Sequence, residues 1–136
     1  MAEEYEVRGI PSYTDKDTWV RVMAGGMVKI GITDYAQKML KEIMFVDLPD
    51  VGSEVVQMQP FVSVESTKEL SDVYSPVSGT VKAVNDDVPG DPGVINRDPY
   101  EGGWLVAVAP SNLEEEMKNL LSADAYKELI REKIGK

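Results

Sequence analysis

The chain has 136 residues, of which 43% are hydrophobic and 28% charged, a balance typical of one soluble globular domain. It contains no histidine and no cysteine, which excludes disulfide bonds, Ser-His-Asp or cysteine catalysis and the usual zinc sites. The formal net charge of −10 argues against binding to nucleic acid or to an anionic membrane surface. No apolar run could span a bilayer and the acidic start, MAEEYEVRGI, does not resemble a signal peptide, so we expect a cytoplasmic, monomeric protein that is not an enzyme.

Many short β-strands are predicted, because runs rich in β-branched and aromatic residues alternate with turn signals. These runs cover residues 18–23, 27–32, 44–49, 61–66, 73–84 and 104–110. Ala-Gly-Gly between the first two runs is typical of a hairpin, and the fifth run is broken at Pro76 and bent at Gly79. Residues 85–103 have no regular pattern and are predicted to form a long irregular loop.

A short internal helix is predicted at about residues 34–42, where apolar residues recur on one helical face. Thr33 or Asp34 would be its N-cap. We interpret Tyr35 and Met39 as helix and core residues rather than as ligand contacts. The two tryptophans, Trp19 and Trp104, are expected to be core aromatics.

Two further helices are predicted near the C-terminal end. Ser111 and Glu114 have the spacing of a capping box, which would open a helix over about 112–121. The last helix follows Ser122, and its apolar side carries Tyr126, Leu129 and Ile130. Many short strands followed by helices indicate a mainly β fold with a sandwich-like or barrel-like core.

One lysine, Lys68, stands among three acids in the stretch SVESTKELSDVYSP, residues 63–76. The flanking strand patterns leave Ser-Thr-Lys-Glu as a tight turn, which would place Lys68 at a hairpin tip away from the core. Acylation of such an amine would remove its charge and lengthen its reach. A protein without thiols could then carry thiol chemistry on an attached disulfide cofactor. The alternative, from the residues alone, is a plain solubilising lysine.

Ordered matches over about residues 13–130 give the chain a family resemblance. The matching stretches are VKIGITDYAQKML, MFVDLPDVGSEV, VESTKELSDVYSPVSGTVKAVN, VINRDPYEGGWLV and LLSADAYKELI. In these stretches the chain resembles the H protein of the glycine cleavage system, a lipoyl carrier. The resemblance implies a barrel-sandwich hybrid of the lipoyl- and biotinyl-carrier type in a single domain over 1–136. Its β core would span about 5–110 and its C-terminal helical segment about 111–134.

The resemblance also implies roles for individual residues. Lys68 would carry a covalently attached lipoate, and no residue would be catalytic. Glu65 and Asp72 would help the lipoylating enzyme to recognise the hairpin, although both could equally be solvated hairpin charges. Gly52 and Gly79 lie where the family fold needs tight bends.

The implied partners are a lipoate ligase or lipoyl transferase, dihydrolipoamide dehydrogenase, and the enzymes that load and unload the arm. The latter are either glycine cleavage enzymes, with an aminomethyl cargo, or a heterodisulfide-reductase-like complex of bacterial sulfur oxidation. A non-lipoylated interaction module remains an alternative. A biotinyl carrier is a weaker one, because biotin hairpins usually read Met-Lys-Met whereas Lys68 lies between Thr67 and Glu69.

Two departures from the family pattern bear on the cargo. Where the family has His-Glu-Trp, this chain has Asp17-Thr18-Trp19, and that glutamate would face the loaded cleft. Thr18 therefore predicts a missing carboxylate, weak glycine cleavage and a gain of activity in Thr18→Glu. The alternative is that another acid, such as Asp17 or Asp72, supplies the charge. Thr18 favours the sulfur pathway, whereas the general match favours glycine cleavage. The small residues that usually follow the lysine are replaced by Glu69 and Leu70.

Overall fold

Residues 5–135, the part of the chain that the computed structural model describes, form nine β-strands and five helices. The strands are β1 Ser12–Tyr13, β2 Thr18–Val22, β3 Val28–Ile32, β4 Ile43–Asp47, β5 Glu54–Val55, β6 Pro60–Ser66, β7 Leu70–Tyr74, β8 Gly79–Val84 and β9 Val106–Pro110. The helices are α1 Asp34–Leu40, α2 Asp87–Gly90, α3 Val94–Arg97, α4 Leu113–Met117 and α5 Ala123–Ile134.

The strands build two antiparallel sheets. The larger sheet has six strands in the order β1-β2-β3-β9-β8-β5, and the smaller has three in the order β4-β6-β7. The apolar faces of both sheets contribute to one buried cluster, so the main core lies between them. Burial of each of these side chains stabilises the fold by roughly 1.5–3 kcal/mol. They are Val20, Val28, Ile30, Ile32, Val55, Val81, Val106 and Val108 of the larger sheet and Ile43, Val46, Val62, Val64 and Val73 of the smaller one.

A second, aromatic cluster joins the last helix to the edge of the larger sheet. Tyr13 of β1 stacks on Tyr126 of α5 with ring centroids 4.6 Å apart and an interplanar angle of 2°. Trp19 of β2 is fully buried beside them and donates its indole N–H to the carbonyl of Pro99 at 3.1 Å. Ser122 caps α5, since its hydroxyl accepts the Ala125 N–H. The predicted final helix after Ser122 is therefore confirmed.

The remaining predicted elements are confirmed in part. The six strand-like runs all contain strands, and α1 begins after Thr33, whose hydroxyl accepts the Ala36 N–H at 3.1 Å. The prediction of an irregular loop over 85–103 is wrong in detail, because α2 and α3 lie within it. The buried Asn85 holds the segment by donating to the carbonyls of Gly102 and Trp104. Trp19 is buried as expected, whereas Trp104 is only partly buried.

The predicted capping box at the start of α4 is wrong. The N-cap of α4 is Asn112, which makes no side-chain capping bond, and the helix covers only Leu113–Met117. The acid that acts here is Glu116, whose carboxylate accepts the N–H and the hydroxyl of Ser78 at 2.7 and 2.6 Å. The long-range hydrogen bonds between Ser78 and Glu116 thus take the place of the predicted local capping bonds, and they connect α4 to the loop before β8.

The two glycines expected at tight bends have physical reasons to be glycine. Gly52 has φ +97°, a backbone conformation that favours glycine, in the turn between β4 and β5. At Gly79, a Cβ atom would lie 2.2 Å from the carbonyl oxygen of Ala109 on the paired strand. The expected bend is confirmed at Gly52, whereas Gly79 begins β8 and needs to be glycine because the paired strand lies so close.

No helix within residues 5–135 is long and apolar enough to cross a membrane. The assignment of residues 1–136 to one lipoyl-carrier domain stays a prediction, and residues 1–4 and 136 lie outside the described part of the chain. The predicted segment boundaries also stay a prediction; in the structure β9 ends at Pro110 and α4 and α5 follow it.

The end of α1 contains a strained residue. Lys41 closes the helix by donating its N–H to the carbonyl of Gln37 at 3.1 Å, and it has φ 69° and ψ −150°. This region of backbone space is populated almost only by glycine, and other residues pay about 1–3 kcal/mol to occupy it. The carbonyl of Lys41 accepts the Asn96 amide at 2.8 Å, so α3 helps to hold the strained backbone.

We predict that Lys41→Gly raises the free energy of unfolding by about 1 kcal/mol, because relief of strain exceeds the extra chain entropy of glycine. Urea unfolding followed by tryptophan fluorescence measures the change. Lys127→Gly, at an exposed position inside α5, is the matched control and should lower stability by about 1 kcal/mol. A loss of stability in both variants would show that Lys41 is not strained.

Candidate functional site

Lys68 lies in the turn that joins β6 to β7. The Ser66 N–H donates to the carbonyl of Glu69 at 2.9 Å, which closes the turn. The Ser66 hydroxyl accepts the N–H groups of Lys68 and Glu69 at 3.2 and 3.1 Å and donates to the Glu69 carbonyl at 3.0 Å. A buried serine that bonds the turn from inside in this way fixes the backbone without using the side chain of Lys68.

The hairpin tip is also tied to the rest of the fold. Thr67 donates its N–H to the carbonyl of Glu42 at 2.9 Å. The residue after Glu42 is held in turn by Asn96, whose side-chain oxygen accepts the Ile43 N–H at 2.9 Å. The strained end of α1 therefore supports the lysine turn.

The side chain of Lys68 points away from these supports. It is exposed, and within residues 5–135 its ammonium group makes no ion pair. The predicted location of Lys68, at a hairpin tip away from the core, is confirmed. An exposed amine on a fixed turn is open to acylation by another protein.

A cleft of about 170 Å³ begins beside this turn. Glu69, the residue after Lys68, lines it, together with Asp72 of β7. The opposite wall is the α1 helix, including Met39. Met39 is 36% exposed, so its interpretation as a core residue is wrong. The complete lining is Lys16, Asp17, Ile32, Ala36, Met39, Leu40, Glu69, Ser71, Asp72 and Val73.

Asp17 brings a carboxylate to the cleft in an unusual backbone conformation. Its φ of 67° is left-handed, which aspartate tolerates better than most residues. Two residues of α5 hold its side chain, because Tyr126 donates its hydroxyl at 2.8 Å and the Lys133 ammonium lies 3.1 Å away. The Tyr126 hydroxyl also bonds Thr33, the N-cap of α1, at 2.7 Å. Burial and the negative charge of Asp17 raise the pKa of Tyr126, so it stays a protonated donor.

Thr18 brings no carboxylate to the cleft, because its side chain is fully buried and its hydroxyl is 2.6 Å from that of Thr14. Three other acids, Asp17, Glu69 and Asp72, line the cleft. This lining supports the alternative that Asp17 or Asp72 supplies the charge, so Thr18 no longer favours the sulfur pathway. Weak glycine cleavage and its improvement in Thr18→Glu stay predictions.

Glu65 and Asp72 lie on the three-stranded sheet but in different surroundings. Glu65 is paired with Phe45 on one side and with Leu70 on the other, and it is exposed. Asp72 is paired with Ser63 and is also exposed, but it lies at the rim of the cleft. Their predicted role in recognition stays a prediction.

Asp34 anchors the α1 wall of the cleft to the N-terminal segment. Its carboxylate accepts the Glu6 N–H and the Gln37 amide, both at 2.8 Å, and pairs with Lys38 at 3.1 Å. Burial alone would raise the pKa of the Asp34 carboxyl, but these hydrogen bonds and the positive charge of Lys38 outweigh it and lower the pKa.

The contacts of Asp17 are the part of the site that the sequence did not indicate. Lys133 is 116 residues away from Asp17 in the chain, and both belong to ordinary charged stretches. The sequence marked Asp17 only as the residue before Thr18, where the family pattern departs, and as an alternative source of the missing charge.

Comparison with known proteins places the chain in a family. The family model of the glycine cleavage H-protein matches residues 11–133. The chain belongs to the glycine cleavage H-protein family. Proteins of this family are carriers rather than catalysts, and they hold a lipoate covalently attached to a lysine.

Individual H proteins are similar along most of their length. A probable glycine cleavage system H protein of Pyrococcus abyssi is 46% identical over 128 residues, which cover 94% of this chain and 95% of that protein. The glycine cleavage system H protein of Geobacillus kaustophilus is 48% identical over 120 residues, with 88% and 93% covered. The crystal structure of an H protein from Mycobacterium marinum superposes with a TM-score of 0.80 at 38% identity, covering 88% of this chain and 95% of that one. With the two sheets, this likeness confirms the barrel-sandwich hybrid.

The lowered pKa of Asp34 predicts how this H protein responds to acid. Its stabilising contribution is fully present above the unfolded pKa of about 3.9, and it is lost as the pH falls from there through the lower folded pKa. Asp34→Asn should lower the free energy of unfolding at pH 7 by about 1.5–3 kcal/mol. The difference from wild type should shrink between pH 5 and pH 3, as measured by urea unfolding at each pH. Asp47→Asn, an exposed carboxylate on β4, is the control and should leave the profile unchanged. An Asp34→Asn deficit that is constant with pH would contradict the assignment.

Proposed function

We propose that this chain is a lipoyl-bearing carrier of glycine cleavage and that Lys68 is its attachment residue. The observation that supports the assignment is the exposed Lys68 amine on a turn that Ser66 and Glu42 hold in place beside a cleft. A carrier needs such an arrangement, because the arm must move while its base stays fixed. Lys16 also lies in a hairpin turn, between β1 and β2, and it lines this cleft, so the choice of Lys68 rests on the resemblance of the β6–β7 hairpin to the lipoyl-attachment hairpin of the family.

Lipoate, once attached, supplies a disulfide that can be reduced and can carry a cargo group. The side chains of this protein hold the base of the arm and offer the cleft as shelter from water. The wall of α1 contributes the apolar surface of Ala36, Met39 and Leu40. The charged residues of the lining are the three acids Asp17, Glu69 and Asp72 and one lysine, Lys16, so the negative charges outnumber the positive one. This combination suits a cargo with a small cationic group, such as an aminomethyl group.

The three acids of the cleft are not equivalent. Asp17 is already bound by Lys133 and Tyr126, which offset much of its charge. Asp72 makes no ion pair within the described chain and is exposed at the rim. We therefore assign the pairing with the cargo to Asp72 and a supporting role to Asp17.

The proposed partners follow from this cycle. A lipoate ligase or lipoyl transferase would attach the arm and recognise Glu65 and Asp72, glycine cleavage enzymes would load and unload it, and dihydrolipoamide dehydrogenase would reoxidise it. The named relatives are glycine cleavage proteins, and they give no support to the sulfur-oxidation alternative.

Lys68 should accept one lipoate when the protein is incubated with a lipoate ligase, lipoate and ATP. Intact-mass analysis should detect a single adduct in the wild type and none in Lys68→Arg, which keeps the charge but lacks a primary amine. Lys82→Arg, at an exposed lysine of β8, is the matched control and should be modified like the wild type. Modification of Lys68→Arg, or none of the wild type, would refute the attachment site. An adduct that forms only in a parallel incubation with a biotin ligase, biotin and ATP would favour the biotinyl carrier.

Asp72→Asn should weaken the hold on the cargo about ten- to hundredfold, since a charge-assisted bond is worth about 1.5–3 kcal/mol. The measurement is the rate at which loaded, lipoylated protein loses its cargo to water, followed by mass spectrometry. Asp17→Asn should have a smaller effect on this rate but should lower the melting temperature, because Lys133 loses its partner. Equal cargo loss in wild type and Asp72→Asn would exclude the pairing. Asp47→Asn, outside the cleft, is the control.

A further inference from the structure

We propose that the outer face of the three-stranded sheet, formed by Phe45, Glu65 and Leu70, is the docking surface for the enzyme that acylates Lys68. The partner would meet this outer face with an apolar pocket bordered by Lys or Arg side chains. The inference rests on the proposed function of Lys68 and extends it by locating the partner and its chemistry.

Strand register brings the three residues together. Phe45 of β4 is paired with Glu65 of β6, and Glu65 is paired with Leu70 of β7, so the three side chains form one row across the sheet. Phe45 is 57% exposed and Leu70 is 73% exposed. Met44, at the bulge beside Phe45, is exposed as well.

The opposite face of the same sheet is already used. Val46, Val64 and Val73 point into the core and are almost completely buried. The outer face therefore adds nothing to that core. In the isolated protein its aromatic and aliphatic side chains are in contact with water, which is less favourable than contact with an apolar surface. Adjacent exposed apolar side chains with a polar border are typical of a surface that binds another protein.

Charge complementarity specifies the chemistry of the partner. β4, β6 and β7 contain three carboxylates, Asp47, Glu65 and Asp72, and no lysine or arginine. Glu69 adds another acid at the turn. A partner that covers this surface gains most if basic side chains surround its apolar pocket.

Among the possible partners, the acylating enzyme is the one that must contact the outer face, because an unmodified lysine side chain is short. Before the arm is attached, an active site must approach the Lys68 amine to within the length of one lysine side chain. Such an approach brings the enzyme against the residues that flank the turn, and Glu65 and Leu70 lie within three residues of Lys68. An enzyme that acts on the far end of an attached arm can stay at arm's length from the turn. It therefore does not have to contact this outer face.

The test is the kinetics of lipoate attachment by a lipoate ligase, with the unmodified protein as the varied substrate. The double variant Phe45→Ser/Leu70→Ser should raise KM about tenfold and leave kcat unchanged. The control is Val51→Ser/Val56→Ser, which removes two exposed valines from another part of the surface and should leave KM unchanged. Raising the salt concentration should increase the wild-type KM, and Glu65→Gln should make that dependence less steep.

If circular dichroism shows that the double variant does not fold, the milder variant Leu70→Ala is measured instead. It should raise KM severalfold. A wild-type KM in either folded variant, or an equal rise in the valine control, would overturn the docking surface while Lys68 is still modified. A concentration-dependent dimer of the unmodified protein that is lost in Phe45→Ser/Leu70→Ser would also overturn it, because a second copy would then occupy the face. If the wild type takes no lipoate at all, the proposed function itself fails.

Discussion

The contact between the valine faces of the two sheets is the interaction on which the rest of the structure depends. Each sheet has one face that must be removed from water, and the small sheet has only three strands with which to do it. Because Val46, Val64 and Val73 pack into the shared core, the other face of that sheet can carry charge and function without loss of stability. The lysine hairpin is the continuation of this packed sheet. The packing of the sheet against the core therefore fixes the position of the hairpin, although the hairpin tip itself lies outside the core.

Held in this way, the hairpin tip needs few local contacts, and the protein supplies them through backbone and small side chains. The Ser66 hydroxyl accepts two backbone N–H groups of the turn, and the carbonyl of Glu42, in the neighbouring loop, accepts a third. The strained Lys41 lies in that loop, at the junction of α1 and β4. A carrier that delivers its arm to several active sites benefits from a rigid base, since flexibility in the base would add to the disorder that each docking event must remove.

Strand and helix patterns in the sequence predicted most of the framework, because the periodicity of valines and the caps at Thr33 and Ser122 are local signals. Where the outcome depended on distant partners, prediction failed. Ser111 and Glu114 have the spacing of a capping box, but Ser78 engages Glu116 and α4 begins elsewhere. Thr18 marked a real departure from the family, yet its burial beside Thr14 and the recruitment of Asp17 by α5 are tertiary facts that no local pattern contains.

The way Ser66 closes the lysine turn has a consequence for how the two forms of the protein differ. Because the hydroxyl binds only backbone groups of the turn, the N–H groups of Lys68 and Glu69 and the carbonyl of Glu69, attaching an acyl group to the Lys68 amine would leave the backbone geometry of the hairpin as it was. What changes is one positive charge, which takes the formal net charge from −10 to −11 and leaves Glu65, Glu69 and Asp72 around an uncharged tip. Lipoylated and unmodified molecules would thus have the same fold and a different surface potential, and anion-exchange chromatography would separate them where size-exclusion chromatography would not.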